Sequence, residues 1–556
     1  MFEIDRRTKV LTLGTLCFAL FMAMLDNTVV NVALPRISSD LGSGISGLQW
    51  IIDAYTLVFA SLLLTGGTLG DIFGRKRFFL AGLSIFTIGS LVCALAPTLS
   101  VLIGARGMQG LGAALLMPGT LSLLTNTFLD PRERAQAIGI WAGISGMALA
   151  AGPVVGGLLV DRFGWQSVFF LNVPIGVIAF VVCILAVRES KNPEGRRLDL
   201  PGQVLAFVGL GTLTYALIEA NNYGWTSAVI LTLFAVAAVA LVGFVLVERR
   251  STSPMLQLGF FRNRTFAAGA TCAAAVSFGM FGMFFFMSLF FQNIQGYTPL
   301  QAGLRALPNT LMIVVFAPLA GQLAGRIGSR LPMTVGLALN ALSLFLFTQV
   351  QVHTAYAHIW PLLSLAGFGM AMVMSPMTSA VMSTVPPQRA GMASATTSAS
   401  REIGGVFGIA LLGAIVTHVF NRDLNGIVSR LNLPPAVKAT ILEQASHGVE
   451  QAGGTLPAGA DFAGLADSLK SSFVSGMHLA LIVAGGVLVL GAIIAAVFVA
   501  GGQPEQVTSL SQSGRPPAEG LESPDHLAPC EDSSHETSRI IASMDSTVVA
   551  TRATSP

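Results

Sequence analysis

Apolar stretches of ~20 residues, each long enough to cross a bilayer as a helix, recur about fourteen times along this chain. They begin near Leu11, Gly47, Phe78, Leu99, Ala135, Gln166, Pro201 and Thr226, and again near Phe266, Gln301, Leu331, Ile359, Gly391 and Val474. Short segments rich in Pro, Gly and charge separate them. Of the 556 residues, 53% are hydrophobic and 11% charged, where soluble domains carry about 25% charged residues. One soluble core cannot enclose that much apolar surface, whereas lipid contact accommodates it. The expected fold class is an all-α polytopic membrane protein. The apolar stretch after Lys9 lacks a small-residue cleavage site and is read as the first span, not as a leader.

The placement of Lys and Arg orients such a chain. With the N-terminus inside, the inner segments collect Arg6, Arg7, Lys9, Arg75, Lys76, Arg77, Arg132, Arg134, Arg196, Arg197, Arg326, Arg330 and Arg389, while the short outer loops hold Arg36 and Arg162. That alternation requires an even number of spans and puts both termini in the cytoplasm. An internal repeat divides the chain. Gly67-Thr-Leu-Gly-Asp-Ile-Phe-Gly74 after the second span resembles Gly321-Gln-Leu-Ala-Gly-Arg-Ile-Gly328 after the tenth. Two similar halves are a common transporter build, with the substrate site between them. The expected organisation is a cytoplasmic N-terminus (1–10), a six-helix bundle (11–187) and a linker carrying two extra spans (188–265). A second six-helix bundle (266–500) and a disordered cytoplasmic tail (501–556) follow. The second bundle is expected to carry a long outer loop at 418–473, with short surface helices at 435–450 and 461–473. The tail is rich in Ser, Pro, Glu and Asp and buries too little apolar area to fold.

Enzyme chemistry finds no support. There is no phosphate-binding Gly-rich loop, no nucleophile elbow and no zinc-binding His pair, and Cys17, Cys93, Cys183, Cys272 and Cys530 stand far apart without metal-ligand spacing. No cofactor, metal or nucleic-acid partner is expected.

Ionisable residues inside the spans are few and expensive, so they are candidates for function. At ~1.5 Å per residue, Asp26, Arg106 and Asp53 lie ~9–12 Å below the same end of their helices. That shared depth suggests a coupled cluster, with plain ion pairing as the alternative. Arg106 either faces the interior or snorkels to the surface. Glu402 sits nearer mid-membrane, placed to attract a cation or carry a proton. Its neighbour Arg401 points ~100° around the helix, so the two need not pair. The run 278–291 is rich in Phe, with Met280, Met283 and Met287. It reads either as lipid-facing or as the flexible wall of a cavity for varied apolar ligands. Candidate cavity residues are Asn31, Gln109, Phe284, Met287, Gln292 and Glu402.

Several ordered strings go beyond composition. Gly67-x-Leu69-x-Asp71-x-x-Gly74-Arg75-Lys76-Arg77 combines close-packing glycines with an inner basic run. Arg106-Gly-Met-Gln109-Gly110-Leu-Gly112 lies in the fourth span, and Gly152-Pro153-Val-Val-Gly156-Gly157 lies in the fifth. The first span carries Leu25-Asp26-Asn27-Thr28-Val-Val-Asn31-Val-Ala-Leu-Pro35. Farther on stand Trp165-x-x-x-Phe169-Phe-Leu-Asn172-Val-Pro174-x-Gly176 and Arg389-x-Gly391 followed by Arg401-Glu402-Ile-Gly-Gly405. Together these resemble the major facilitator superfamily, and within it the fourteen-span drug:proton antiporters. The resemblance covers residues 10–416 and the last span, not the outer loop or the tail.

The resemblance implies two six-helix bundles with two extra central helices. It implies a gating role for Gly67, Asp71, Gly74, Arg75, Lys76 and Arg77, holding inner helix ends together in an outward-open state. By the resemblance for Asp26 and Arg106, and by depth for Asp53 and Glu402, proton coupling would fall to these four residues. Gly152, Pro153, Gly156 and Gly157 match the string found in exporters and largely missing from uptake symporters. The expected activity is therefore proton-coupled export of drugs, antibiotics or other small apolar or cationic molecules. The expected setting is a bacterial inner membrane, with the protein working as a monomer and the proton gradient as energy source. A symporter, or an exporter dedicated to one metabolite on the same fold, is the alternative.

Overall fold

The computed structural model describes residues 5–191, 198–251, 254–386, 390–430, 438 and 462–500. Arg196, Arg197, Arg389, the tail, and the segment 435–450 apart from Lys438 lie outside them. Among the described residues there is no β-strand, and fourteen helices are long and apolar enough to cross a membrane. They are α1 (Arg6–Leu41), α2 (Ile45–Phe73), α3 (Arg75–Ala94), α4 (Leu99–Thr127), α5 (Pro131–Phe163), α6 (Gln166–Ala186) and α7 (Leu200–Tyr223). The series continues with α8 (Ala228–Arg250), α9 (Arg264–Ile294), α10 (Pro299–Ile327), α11 (Arg330–Phe347), α12 (Tyr356–Met382), α13 (Ala390–Arg430) and α14 (Phe462–Phe498). In lipid a backbone must satisfy its own polar groups, which leaves the helix as the only open-ended solution.

The loops are short because the chain marks its helix ends. The Asp130 carboxylate accepts the N–H groups of Arg132 and Glu133 at 2.9 and 3.0 Å and starts α5. Thr298 and Gln301 form a reciprocal capping box at the start of α10. Gly74 alone separates α2 from α3, at φ 123°, and Gly328 ends α10 at φ 83°. Both positions need a backbone that side-chain-bearing residues rarely adopt, so the repeated string ends on glycine for one reason in both halves.

The repeat extends into packing. A Cβ on Gly82 of α3 would stand 2.7 Å from the Gly112 carbonyl oxygen of α4, and one on Gly336 of α11 would stand 2.6 Å from that of Gly369 of α12. Gly110 likewise abuts the Tyr55 backbone as Gly367 abuts that of Asn309. Small residues let these helix pairs meet backbone to backbone. Helices α1–α6 and α9–α14 form the two bundles. The extra helix α7 packs on both α2 and α13. Trp50 of α2 donates to Glu219 at 2.9 Å, Gln203 to the Ser61 carbonyl at 2.9 Å, and Asn221 to the Ala414 carbonyl at 2.7 Å. Helix α8 lies outside α7 with Leu231, Val239 and Val242 exposed, a surface that suits lipid.

The helices reach further into the expected outer loop than the sequence suggests. Helix α13 runs to Arg430, and α14 starts at Phe462, so the stretch expected as a separate helix at 461–473 is the first part of α14. Leu424 and Val428 are buried in the same apolar cluster as Leu469 and Phe473. Each pair is spaced four residues apart, so both extensions present a stripe to pack.

Candidate functional site

Two constellations occupy the interior. The first lies inside the α1–α6 bundle. The Arg106 guanidinium reaches the Asp26 carboxylate at 2.5 Å, and both side chains are 1% exposed. Arg106 also donates to Gln109 Oε1 at 2.9 Å and, through Nε, to the Ile51 carbonyl at 3.0 Å. Its guanidinium carbon stands 4.5 Å from the Tyr55 ring centroid. The other Asp26 oxygen accepts from Asn172 of α6 at 2.8 Å and from Gln109 at 3.3 Å. Ser90 of α3 accepts from Gln109 at 2.6 Å and from Asn172 at 3.3 Å. A buried ion pair is tolerated only when its remaining donors and acceptors are engaged, and here five helices supply the partners.

Arg106 therefore faces the interior and pairs with Asp26. Asp53 shares their depth but not their cluster. It is fully buried, and neither carboxylate oxygen has a hydrogen-bond partner. It stands one turn from Gln49, whose amide donates to the carbonyls of Ile409 and Ala410 of α13 at 2.8 and 3.1 Å. Equal depth placed it beside Asp26; its direction around α2 turns it toward the other bundle. Gln109, expected in the cavity, belongs to the ion-pair network instead. Ser90 is not among the sequence candidates, and Asn172 enters only as part of the string from Trp165, although an Asn inside the apolar run of α6 is the kind of signal that marks a partner.

The second constellation is a cavity of about 1540 Å³ between the bundles. Asn31, Phe284, Met287 and Glu402 line it, together with Asn27, Met280, Met370, Met374 and Arg401. It extends to the end of the molecule that carries the basic loops, where Asp71, Ser122, Gly139 and Met392 form its walls. At the opposite end the bundles meet. Pro35 has no N–H for the Asn31 carbonyl four residues earlier, and the Ser288 hydroxyl of α9 supplies the missing donor. Gln292 donates to the Val32 carbonyl at 3.0 Å. Gln292 thus closes the far end and does not line the cavity, because a π-turn over Phe290–Ile294 carries it against α1.

The glycine string of α5 belongs to the same closure. Gly152 abuts the Thr28 side chain, and a Cβ on Gly156 would stand 3.1 Å from the Val29 carbonyl. Gly157 faces Pro299 and Leu300 of α10, with the Pro299 oxygen 2.6 Å from a Cβ, and the Pro153 carbonyl meets Gly303 of α10. Larger residues here would force α5 off α1 and α10. At the basic end Asp71 pairs with Arg75 at 2.7 Å, Lys76 donates to the Ile184 carbonyl at 2.8 Å, and Arg77 lies 3.8 Å from Glu189. These contacts tie the string that begins at Gly67 to α6 and to the segment just after it.

Asp26 does not touch the cavity. Leu20, Met24, Asn27 and Asn31 form the cavity stripe of α1, and Asp26 stands ~140° around the helix from Asn31 at ~100° per residue. Arg401 and Glu402 do line the cavity, 3.6 Å apart. One Glu402 oxygen has no hydrogen-bond partner. The arrangement is an apolar, methionine-rich chamber with one loose charge pair in its wall and one sealed charge pair behind it.

The comparisons agree with this architecture. The family model described as Major Facilitator Superfamily matches residues 16–409. Multidrug resistance protein Stp of Mycobacterium tuberculosis (strain CDC 1551 / Oshkosh) is 39% identical over 502 residues, covering 89% of this chain and 92% of that protein. The tetracenomycin C resistance and export protein of Streptomyces glaucescens is 35% identical over 488 residues, covering 87% and 90%. Among solved structures, a bacterial homolog of the human lysosomal transporter Spinster, inward-facing and unoccupied, superposes with a TM-score of 0.60 at 17% identity. It covers 89% of this chain and 99% of that one, a likeness of fold. Matched along most of its length and built as two glycine-packed bundles around a membrane cavity, the chain belongs to the Major Facilitator Superfamily and is a multi-pass membrane transporter.

Proposed function

We propose that this protein is a proton-driven antiporter that exports small apolar or cationic molecules, drugs and antibiotics among them, across a bacterial inner membrane. The basic end faces the cytoplasm by the positive-inside bias, with both termini on that side. The structure then has its cavity open to the cytoplasm and sealed to the outside, the state in which an exporter loads. The names of the relatives, multidrug resistance and resistance with export, support the direction.

The observation that carries the coupling is the Asp26–Arg106 network behind the cavity wall. A carboxylate held by Arg106, Gln109 and Asn172 loses its hold on Arg106 when it takes a proton. The change is felt along α1, whose other faces form the cavity stripe and the Asn31–Ser288 seal. Proton and cargo then act on one helix from two sides, and their effects on each other are reciprocal. No cofactor is needed, and a single chain carries the cavity, the network and the gates. The bilayer, protons and cargo are its partners.

Purified protein in vesicles with an imposed pH gradient tests the reading. Ethidium leaving as protons enter is the expected result. Uptake of dye together with protons would make it a symporter, and gradient-independent leakage would contradict coupling.

A further inference from the structure

Arg401 is held differently from Arg106. Its guanidinium meets Glu402 at 3.6 Å, longer than an ordinary hydrogen bond. Its side chain is 34% exposed, into the cavity. It also closes a side recess of about 50 Å³ whose walls include Thr378, Ser394, Thr397 and Ser398. A group of carboxylate size fits there, since one water needs roughly 10–15 Å³.

Two of the four hydroxyls are engaged and two are not. Thr378 and Thr397 give their hydroxyl protons to the carbonyls of Met374 and Ala393 at 3.0 and 2.9 Å. Ser394 and Ser398 make no hydrogen bond to a described residue, and both line recess and cavity. A planar guanidinium with unused N–H groups beside two unused hydroxyls matches an acceptor with two oxygens and negative charge. The apolar body of such a molecule would lie along Met374, Met370, Met287 and Phe284.

We propose that Arg401, with Ser394 and Ser398, is a subsite for an anionic oxygen group, a carboxylate or phenolate, on the transported molecule. The inference rests on the export reading and specifies its cargo. The transported class includes apolar acids as well as cations, because a pair held no closer than 3.6 Å is open to either sign. A cation engages Glu402, and an anion engages Arg401.

The probes are fluorescein, which carries carboxylate and phenolate, and the cation ethidium. Binding to detergent-purified protein is read by fluorescence polarisation, and efflux from vesicles under a pH gradient is read separately. Arg401→Gln is expected to weaken fluorescein binding at least tenfold and leave ethidium within twofold. Arg401→Lys, which keeps charge but not the fork, should fall between. Ser394→Ala/Ser398→Ala should weaken fluorescein alone, by a few fold. Equal loss of both dyes in Arg401→Gln would make Arg401 a structural counter-ion and overturn the proposal, as would undiminished fluorescein binding or no saturable fluorescein binding by the unaltered protein. Fluorescein bound through Arg401 but never moved would support the subsite while counting against export.

Discussion

The Arg106–Asp26 and Arg401–Glu402 pairs both lie within membrane spans, yet they are built in opposite ways. The first is 2.5 Å long with each side chain 1% exposed, and Gln109, Asn172 and the Ile51 carbonyl occupy its remaining valences. The second is 3.6 Å long, opens on the cavity and leaves a Glu402 oxygen without a partner. A sealed pair with satisfied neighbours suits the proposed proton site, and an open, loosely held pair suits the proposed ligand site. The internal repeat sharpens the contrast. Gly110 and Gly112 of α4 correspond to Gly367 and Gly369 of α12, so Arg106 corresponds to Leu363 and Gln109 to Ala366. The scaffold is two-fold, but Arg106 and Gln109 have only apolar counterparts in α12.

The largest expected effect comes from making the first half resemble the second. Arg106→Leu leaves Asp26 buried and unpaired, and removal of one partner of such a pair costs about 3–5 kcal/mol. Thermal unfolding in detergent should fall sharply, and the double variant Asp26→Leu/Arg106→Leu should regain most of that stability without regaining proton coupling. A double variant as unstable as the single one would mean that the network, not the pair, holds the bundle.

Next come the seals. Gly156→Leu should insert normally yet lose transport at least tenfold, because its side chain must displace Val29. Pro153→Ala should impair transport less. Full export by both, measured as dye efflux at matched expression, would reduce the α5 string to packing. Ser288→Ala strips the Asn31 carbonyl of its donor. A hydrogen bond of this kind is worth about 1 kcal/mol, so the ratio of outward-open to inward-open protein should rise roughly fivefold. Labelling of a single cysteine placed at Asn31 from the outside would read it. The smallest effect is expected from Asp53→Asn, which breaks no bond in this state. Dye-evoked proton release should change less than twofold, and a larger loss would return Asp53 to the coupling machinery.

Much of the architecture was legible because lipid makes deviations visible. A charge inside an apolar run, as at Asp26, Arg106 and Glu402, or a glycine string ending at a basic loop, stands out against its background. Depth follows from counting along a helix. Direction around the helix is harder, because it depends on which neighbours the glycines admit. Gln109 and Gln292 look equally suited to a cavity wall, yet the first is committed to Arg106 and the second to the Val32 carbonyl. Asp53 has the right depth but stands one turn from Gln49, on the side of α2 that meets α13. Within α1 the direction was available, since counting ~100° per residue already separates Asp26 from Asn31. Ser90 and Asn172 carry no charge and leave a weaker mark, and α6 declares its role only when it meets α1 and α3.

The central claim is that proton exchange and cargo binding occupy separate sites joined by α1, and Asp26→Asn tests it most directly. Ethidium binding and ethidium-evoked proton release are measured on the same purified variant. The expected result is binding within about threefold of the unaltered protein, on the order of 0.7 kcal/mol, with proton release and gradient-driven efflux abolished. Loss of ethidium binding together with proton release would place cargo on Asp26 itself, and undiminished proton release would remove Asp26 from the mechanism; either result contradicts the separation.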